Sequence, residues 1–280
     1  RRLAIVDLSP SGAQPMVAAD VGLTLVFNGE IYNYRELRQE ISRDWTFRSE
    51  SDTEVILAGY VRWGTEVVGR LLGMFAFALF DRKSRTLTLG RDRLGEKPIY
   101  YGWSKGVFLF GSELKALRCH PAFGGEINRN ALATFLKYQY VPGPESIYSG
   151  IRKLQQGCVL TLSLAQMEPV IETYWSAIEQ AQLGVKNRFS GSPDEAVDAL
   201  EALLGDAIGQ QMMADVPVGA FLSGGIDSST VVALMQKRSV RPVRSFAIGF
   251  DVPGFNEAIY AREVAQHLGT EHTELYVTPQ

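Results

Sequence analysis

From Leu3 to about Tyr174 the chain is a succession of short apolar runs cut by glycine and charge: RRLAIVDL at 1–8, LTLVFNGEIYN at 23–33, GMFAFALFD at 73–81, RTLTLGRD at 85–92, PIYYG at 98–102, GVFLFGSE at 106–113 and CVLTL at 158–162. Runs of four to seven residues rich in Val, Ile, Leu, Phe and Tyr and bounded by Gly, Asp or Asn predict strands. Two stretches break the series with helical spacing. DTEVILAGYVRWG brings Val55, Ile56, Gly59, Tyr60 and Trp63 to one side, and NRNALATFLKYQ groups Leu132, Phe135 and Leu136. A layered, sheet-rich domain with covering helices is expected over residues 1–175.

Residues 176–192 are small and polar and end in the turn-like SGSP, which predicts a linker. SPDEAVDALEALLGDAIGQQMM then opens with a helix-start pattern: Ser192 as cap, Pro193 at the first helical position, and acids in the first turn. A strand at 216–222, the loop SGGIDSS at 223–229, a helix from 228 to about 237, a strand RSFAIGF and a helix AIYAREVAQHLG follow. Strands alternating with helices predict a parallel sheet over 193–280.

Composition narrows the partners. The 280 residues are 46% hydrophobic, enough for two cores, and 28 basic against 31 acidic residues leave a net charge of −3 with no footprint for nucleic acid or an anionic membrane. No apolar stretch reaches the length of a bilayer span and no signal peptide is visible. The two cysteines, Cys119 and Cys158, lack metal-ligand spacing and fit a reducing, cytoplasmic setting, where both are expected to be ordinary buried or semi-buried thiols. The chain opens on Arg-Arg rather than methionine and stops on Pro-Gln in mid-pattern, so it reads as a stretch of a longer protein.

The loop at 223 carries the first candidate chemistry. A glycine-rich turn between a buried strand and a helix presents backbone N–H groups and a helix N-terminus to an anion. It is neither a Walker loop, having no G-K-[ST], nor the spaced dinucleotide fingerprint. Asp227 within an anion loop would repel its ligand unless a metal lay between them, which implies Mg²⁺. SGGIDSS resembles the S-G-G-x-D-S loop of the N-type ATP pyrophosphatases.

In the first half, Asn28-Gly29 taken alone reads as a two-residue hairpin turn. Yet RRLAIVD, NGE, SESDTEVIL, GMFAFALFD, GRDRLGEKPIYY and SELKAL occur in an order that resembles the class II glutamine amidotransferase domain of the glutamine-hydrolysing asparagine synthetases, and with SGGIDSS and FNEAIYAREVAQHLGTEH the resemblance covers nearly all of the chain. It implies an α+β N-terminal-nucleophile sandwich of αββα layers over residues 1–175, followed from 193 by an α/β, parallel-sheet ATP-pyrophosphatase domain.

The resemblance also implies roles. Arg2 would bind the glutamine α-carboxylate, with the backbone of Leu3, Ala4, Ile5 and Val6 on the same side. A planar guanidinium forking onto a carboxylate suits that role. Asn28 and Gly29 would form the oxyanion hole, and Glu30 and Asp52 would hold the α-ammonium, Asp52 also being a candidate helix cap. Leu222, Ser223, Gly224, Gly225, Asp227, Ser228, Ser229 and Ile248 would contact ATP.

The family nucleophile, a cysteine at the mature N-terminus, and later synthetase residues are not among these 280, so this stretch alone is expected neither to hydrolyse glutamine nor to make asparagine. The implied parent activity is a carbon–nitrogen ligation: ATP-dependent amidation of aspartate through β-aspartyl-AMP, with ammonia from glutamine, releasing AMP and pyrophosphate. Alternatives are an acceptor other than aspartate, such as a sugar acid, or a non-catalytic ATP- or glutamine-binding homologue. Family members often form dimers.

Overall fold

The computed structural model describes residues 5–250, 252 and 256–278, which divide into two compact units, 1–187 and 188–280. In the first unit the elements are β1 (Met16–Ala18), β2 (Leu23–Ile31), α1 (Tyr34–Ile41), α2 (Asp52–Trp63), α3 (Val67–Arg70), β3 (Gly73–Asp81), β4 (Thr86–Arg91), β5 (Tyr100–Ser104), β6 (Val107–Gly111), α4 (Leu114–Arg118), α5 (Arg129–Tyr138), β7 (Ile151–Lys153), β8 (Cys158–Ser163), β9 (Pro169–Thr173) and α6 (Ala177–Lys186). The division falls inside the predicted linker, but a helix, α6, occupies most of that segment. Ser176 caps it by accepting from the Glu179 N–H.

Two antiparallel sheets stack in this unit, one in the order β1-β2-β3-β4-β8-β9 and one in the order β6-β5-β7. Side chains of a strand alternate between faces, and β3 displays the consequence. Phe75, Phe77 and Leu79 point to the core shared with α1 and α2, while Ala76 and Ala78 point to the core shared with Ile99, Tyr101, Leu154 and Leu160. The small alanines let the two sheets approach; the large side chains fill the layer beneath the helices, each contributing roughly 2 kcal/mol by burial. Leu109, Leu117 and Ile151 join β6, α4 and β7 on the outer face of the small sheet. The resulting order, helix, sheet, sheet, helix, is the expected αββα sandwich.

Local expectations are met unevenly. The strands at 23, 73, 85, 98, 106 and 158 and the helices at 52 and 129 form. Residues 5–8 carry no strand, and residues 1–4 of that predicted run lie outside the described part. Asn28-Gly29 is not a hairpin turn: β2 runs straight through it, Asn28 opposite Ala76 and Gly29 opposite Phe75. Cys158 is buried, whereas Cys119 is exposed.

The second unit holds α7 (Pro193–Gln211), β10 (Gly219–Phe221), α8 (Ile226–Arg238), β11 (Arg244–Phe250), α9 (Ala258–Leu268) and β12 (Glu271–Val277). Its strands form a parallel sheet in the order β10-β11-β12. Ser192 and Glu195 close a reciprocal capping box at the start of α7. Leu222, Val232, Ala247, Ala258, Ala261 and Ala265 form the core between sheet and helices. The alanines on α9 permit its close packing on β11. Strand β12 has no counterpart among the elements predicted from the sequence, and it carries His272. Among the described residues no helix is long and apolar enough to cross a membrane.

Candidate functional site

The central part of β2 builds the floor of a cavity of about 500 Å³ in the first unit. At Gly29, φ is +152°, and a Cβ there would lie 2.0 Å from the Met74 carbonyl oxygen and 2.7 Å from the Phe75 Cα. Gly73 on the paired strand is pinched in the same way against the Glu30 carbonyl oxygen, at 2.0 Å. The two backbones pass so closely that neither position tolerates a side chain. Asn28 and Glu30, two apart on the strand and so on one face of it, both line the cavity.

Helix α2 supplies the second wall. Ser51, not Asp52, caps it, its side chain accepting from the Thr53 N–H. The Asp52 carboxylate faces the cavity instead. It is 4% exposed, lines the cavity, and its Oδ2 accepts from the Ile31 N–H at 3.0 Å. One carboxylate thus ties the helix to the strand residue next to Glu30. The glutamate itself has a buried Oε1 with no hydrogen-bond partner among the described residues. Burial, and then repulsion from Asp52, push the Glu30 carboxyl above its ordinary range, with Lys97 partly opposing them. Tyr32 is pushed up to about 12 by burial and by Glu96, Glu30 and Asp92. The region is electronegative, and an ammonium group placed against Glu30 would complete it.

Ile5 and Val6 complete the cavity from the N-terminal side. The next residue, Asp7, accepts from the Glu50 N–H with its Oδ2 at 3.0 Å and from the Ser9 N–H with its Oδ1. Of the predicted glutamine residues, the structure therefore brings Ile5, Val6, Asn28, Gly29, Glu30 and Asp52 together; Arg2, Leu3 and Ala4 lie outside the described residues. It adds Gln14, Phe27, Ser112, Glu113 and Ala116, to which the sequence assigns no role. SELKAL is visible as a motif, but that its first residue meets Asn28 depends on the stacking of two sheets. Gln14 carries no sequence signal of its own; its Oε1 accepts from the Phe27 N–H at 2.7 Å.

A pH effect follows from Glu30. Its folded-state carboxyl titrates above the unfolded one, so the ligand-free protein is stabilised by protonation there and loses that contribution as pH rises through the raised value. An ammonium ligand needs the ionised form. Affinity for a ligand bearing an α-ammonium is expected to strengthen as pH rises through the mildly acidic range above 4.5, the ordinary glutamate value. In Glu30→Gln the pH slope should vanish, affinity should fall, and the melting temperature of the ligand-free protein at neutral pH should rise. Calorimetric titration and thermal melts check these three outcomes.

In the second unit the candidate residues surround the start of α8. Helix α8 begins at Ile226, two residues earlier than expected, so Asp227, Ser228 and Ser229 belong to its first turn rather than to the loop. Gly225 is its N-cap and has no side chain to occupy the first helical N–H groups, which leaves them for an anion. Ser223 Oγ and Ser228 Oγ lie 2.9 Å apart across the loop, and Ser229 Oγ is buried without a hydrogen-bond partner among the described residues.

Gly224, at φ +79°, passes so close to α9 that a Cβ would meet the Tyr260 Cβ at 2.6 Å and its carbonyl carbon at 2.8 Å. The side chain of Leu222 is buried in the core, so only its backbone could face a ligand. Its N–H donates to the Phe246 carbonyl at 2.8 Å. Ile248 follows two residues along β11 on the more exposed face, opposite Leu275. Among the described residues no three His, Cys, Asp or Glu side chains converge as a metal site. Asp227 alone fits a Mg²⁺ held mainly by phosphate oxygens and water.

Comparison with known proteins bears on both units. Residues 1–175 match the family profile described as glutamine amidotransferase domain, and residues 199–280 match that of asparagine synthase. A protein of Mycobacterium tuberculosis is 41% identical over 97% of this chain and 42% of its own length. Asparagine synthetase [glutamine-hydrolyzing] 1 of Bacillus subtilis is 35% identical over 100% of this chain and 43% of its own, and asparagine synthetase B [glutamine-hydrolyzing] of Escherichia coli is 34% identical over 100% and 46%. The chain thus spans less than half the length of these relatives. It belongs to the glutamine amidotransferase domain family through residues 1–175 and carries asparagine synthase sequence over 199–280.

Proposed function

We propose that this chain forms the glutaminase domain, residues 1–175, and, after a connecting segment at 176–192, the first part of the ATP-binding domain, residues 193–280, of a glutamine-hydrolysing asparagine synthetase. The observation that carries the reading is the pinched strand at Asn28-Gly29-Glu30: it sets an amide side chain and a buried carboxylate oxygen lacking a hydrogen bond on one cavity, beside a second buried carboxylate from α2.

In the reading so supported, Glu30 and Asp52 take the glutamine α-ammonium, Arg2 takes its α-carboxylate, and the backbone of residues 3–6 borders the same group. The amide of Asn28 and the N–H of Gly29 receive the oxygen that becomes negative when a nucleophile adds to the side-chain carbonyl. Donors fixed in place before charge develops lower that barrier most. The nucleophile would come from outside these 280 residues.

At the start of α8, Ser223, Gly224, Gly225, Ser228 and Ser229 hold the ATP phosphates, the backbone of Leu222 and the strand at Ile248 border the adenine, and Asp227 contributes one ligand to Mg²⁺. Bound there, the metal would offset the phosphate charge beside Asp227. With no lysine in the loop to follow a transferred γ-phosphate, adenylation of a carboxylate with loss of pyrophosphate is the chemistry favoured. Aspartate is the acceptor named by the relatives' product, and ammonia from the first unit would displace AMP.

The test is the nucleotide product. Incubated with ATP, Mg²⁺, glutamine and aspartate, the protein expressed from its native start should form AMP and pyrophosphate in step with asparagine. ADP and phosphate as products would contradict adenylation. AMP that forms only with a carboxylate other than aspartate, such as a sugar acid, would keep the chemistry and replace the acceptor.

A further inference from the structure

We infer that Ser112 is a positioning residue for the oxyanion donor Asn28, an inference that rests on the glutamine-hydrolysis reading and deepens it. The serine opens SELKAL, in the connection between β6 and α4, and thus comes from the second sheet rather than from the sheet that carries Asn28. Its Oγ accepts a hydrogen bond from Asn28 Nδ2 at 3.1 Å, across 84 residues of sequence.

The bond holds the plane of the amide, with Nδ2 toward Ser112. A primary amide carries two N–H donors on one side and an acceptor oxygen on the other. With one N–H engaged by Ser112, the second N–H remains on the same nitrogen for an oxyanion. If the amide turned over, it would present its carbonyl oxygen to a developing negative charge. Both residues line the same cavity, so the fixed group is the one a substrate meets.

The residue before Asn28 is held as well. Gln14 Oε1 accepts from the backbone N–H of Phe27, the residue before Asn28, at 2.7 Å, and Gln14 lines the cavity too. Backbone and side chain of the Asn28 region are therefore held by two residues from outside β2. A donor that is already oriented when charge appears loses nothing to reorganisation, whereas a rotating one does.

The experiment is a double-mutant cycle on glutamine hydrolysis by the protein expressed from its native start. Removing an oxyanion donor costs about 10²–10³ in kcat, so Asn28→Ala should fall by about that factor and Ser112→Ala, which only frees the donor, by about tenfold with KM within about twofold of wild type. Ser112→Thr, which keeps the hydroxyl, should recover most of the lost rate. In the Asn28→Ala background, Ser112→Ala should have no further effect, because a residue acting through another has nothing left to act on.

Equal losses from Ser112→Ala in both backgrounds would overturn the inference, as would a rise in KM at constant kcat. So would an unimpaired Ser112→Ala beside an impaired Asn28→Ala, an outcome that leaves the glutamine reading standing. An unimpaired Asn28→Ala overturns that reading and this inference together. Thermal melts of each variant separate loss of fold from loss of positioning.

Discussion

In the protein expressed from its native start, replacing Gly29 by alanine is expected to reduce the proposed glutamine hydrolysis to background and to destabilise the first unit by about 3 kcal/mol or more, the range in which backbone strain and overpacking add. The reason is geometric. The methyl group would enter the Met74 carbonyl, 2.0 Å away, and the Phe75 Cα, 2.7 Å away, both main-chain atoms of a central strand that have no rotamer to yield. Relief requires β2 and β3 to separate, which breaks the ladder on which Asn28 and Glu30 are mounted. Denaturant unfolding and turnover should therefore fail together. A stable, active Gly29→Ala protein would show that the pinch is not what shapes the site.

Asp92→Ala is the second large effect, expected at about 4 kcal/mol, since removing one member of a buried charged network leaves its partners unpaired. Asp92 is fully buried and accepts four backbone N–H groups: those of Leu94 and Glu96 on Oδ1, and those of Phe75 and Lys97 on Oδ2. Its neighbour Arg91 serves the same loop from the acceptor side, donating to the carbonyls of Gly95, Lys97 and Leu154. Burial lowers the arginine's affinity for its proton while Asp92 opposes the shift.

Acid and base thus wrap residues 92–97 into one shape, and that loop carries the Lys97 whose charge acts on Glu30. Asp92→Asn, which keeps one acceptor oxygen, should lose about half as much stability by the same reasoning. Chemical denaturation measures both, and a loss below about 1 kcal/mol for Asp92→Ala would contradict the role assigned to the loop.

Particular residues show what the sequence can disclose. The alternation in GMFAFALFD assigns Phe75, Phe77 and Leu79 to one face and Ala76 and Ala78 to the other, and the two cores divide along that line. The Ser192-Pro193 start is equally legible, because capping is local chemistry. Asn28-Gly29 misleads in isolation: the glycine is required by a partner strand distant in sequence, at Met74 and Phe75, a contact that turn preferences do not encode. Helix α1 is hidden because Ile31 and Tyr32 prolong the apolar run of β2 up to its first turn. Strand β12 is hidden by its charges, with Glu271 and Glu274 interrupting any apolar alternation.

In the site, Glu30 and Asp52 are found through the resemblance. Their physical signature, a buried oxygen without a hydrogen bond beside a buried acid, exists only once strand and helix are packed. The start of α8 differs in kind. Its glycines, serines and acid are contiguous, so the sequence displays the whole set, but it misplaces the helix boundary by two residues and expects a buried strand over 216–222 where the strand is only Gly219–Phe221, with Phe221 exposed.

Nitrogen released at the Asn28-Gly29-Glu30 cavity should be the nitrogen installed on the acceptor. Glutamine labelled with ¹⁵N in its side-chain amide, given to the protein expressed from its native start with ATP, Mg²⁺ and aspartate in buffer containing excess unlabelled ammonium at moderately acidic pH, measures this directly by mass spectrometry. The expected product is asparagine carrying ¹⁵N in its side-chain amide, formed one for one with AMP, with loss of the label but not of all synthesis in Asn28→Ala. Unlabelled asparagine from the wild-type protein, or labelled glutamine left intact while AMP accumulates, would contradict the coupling of the two sites.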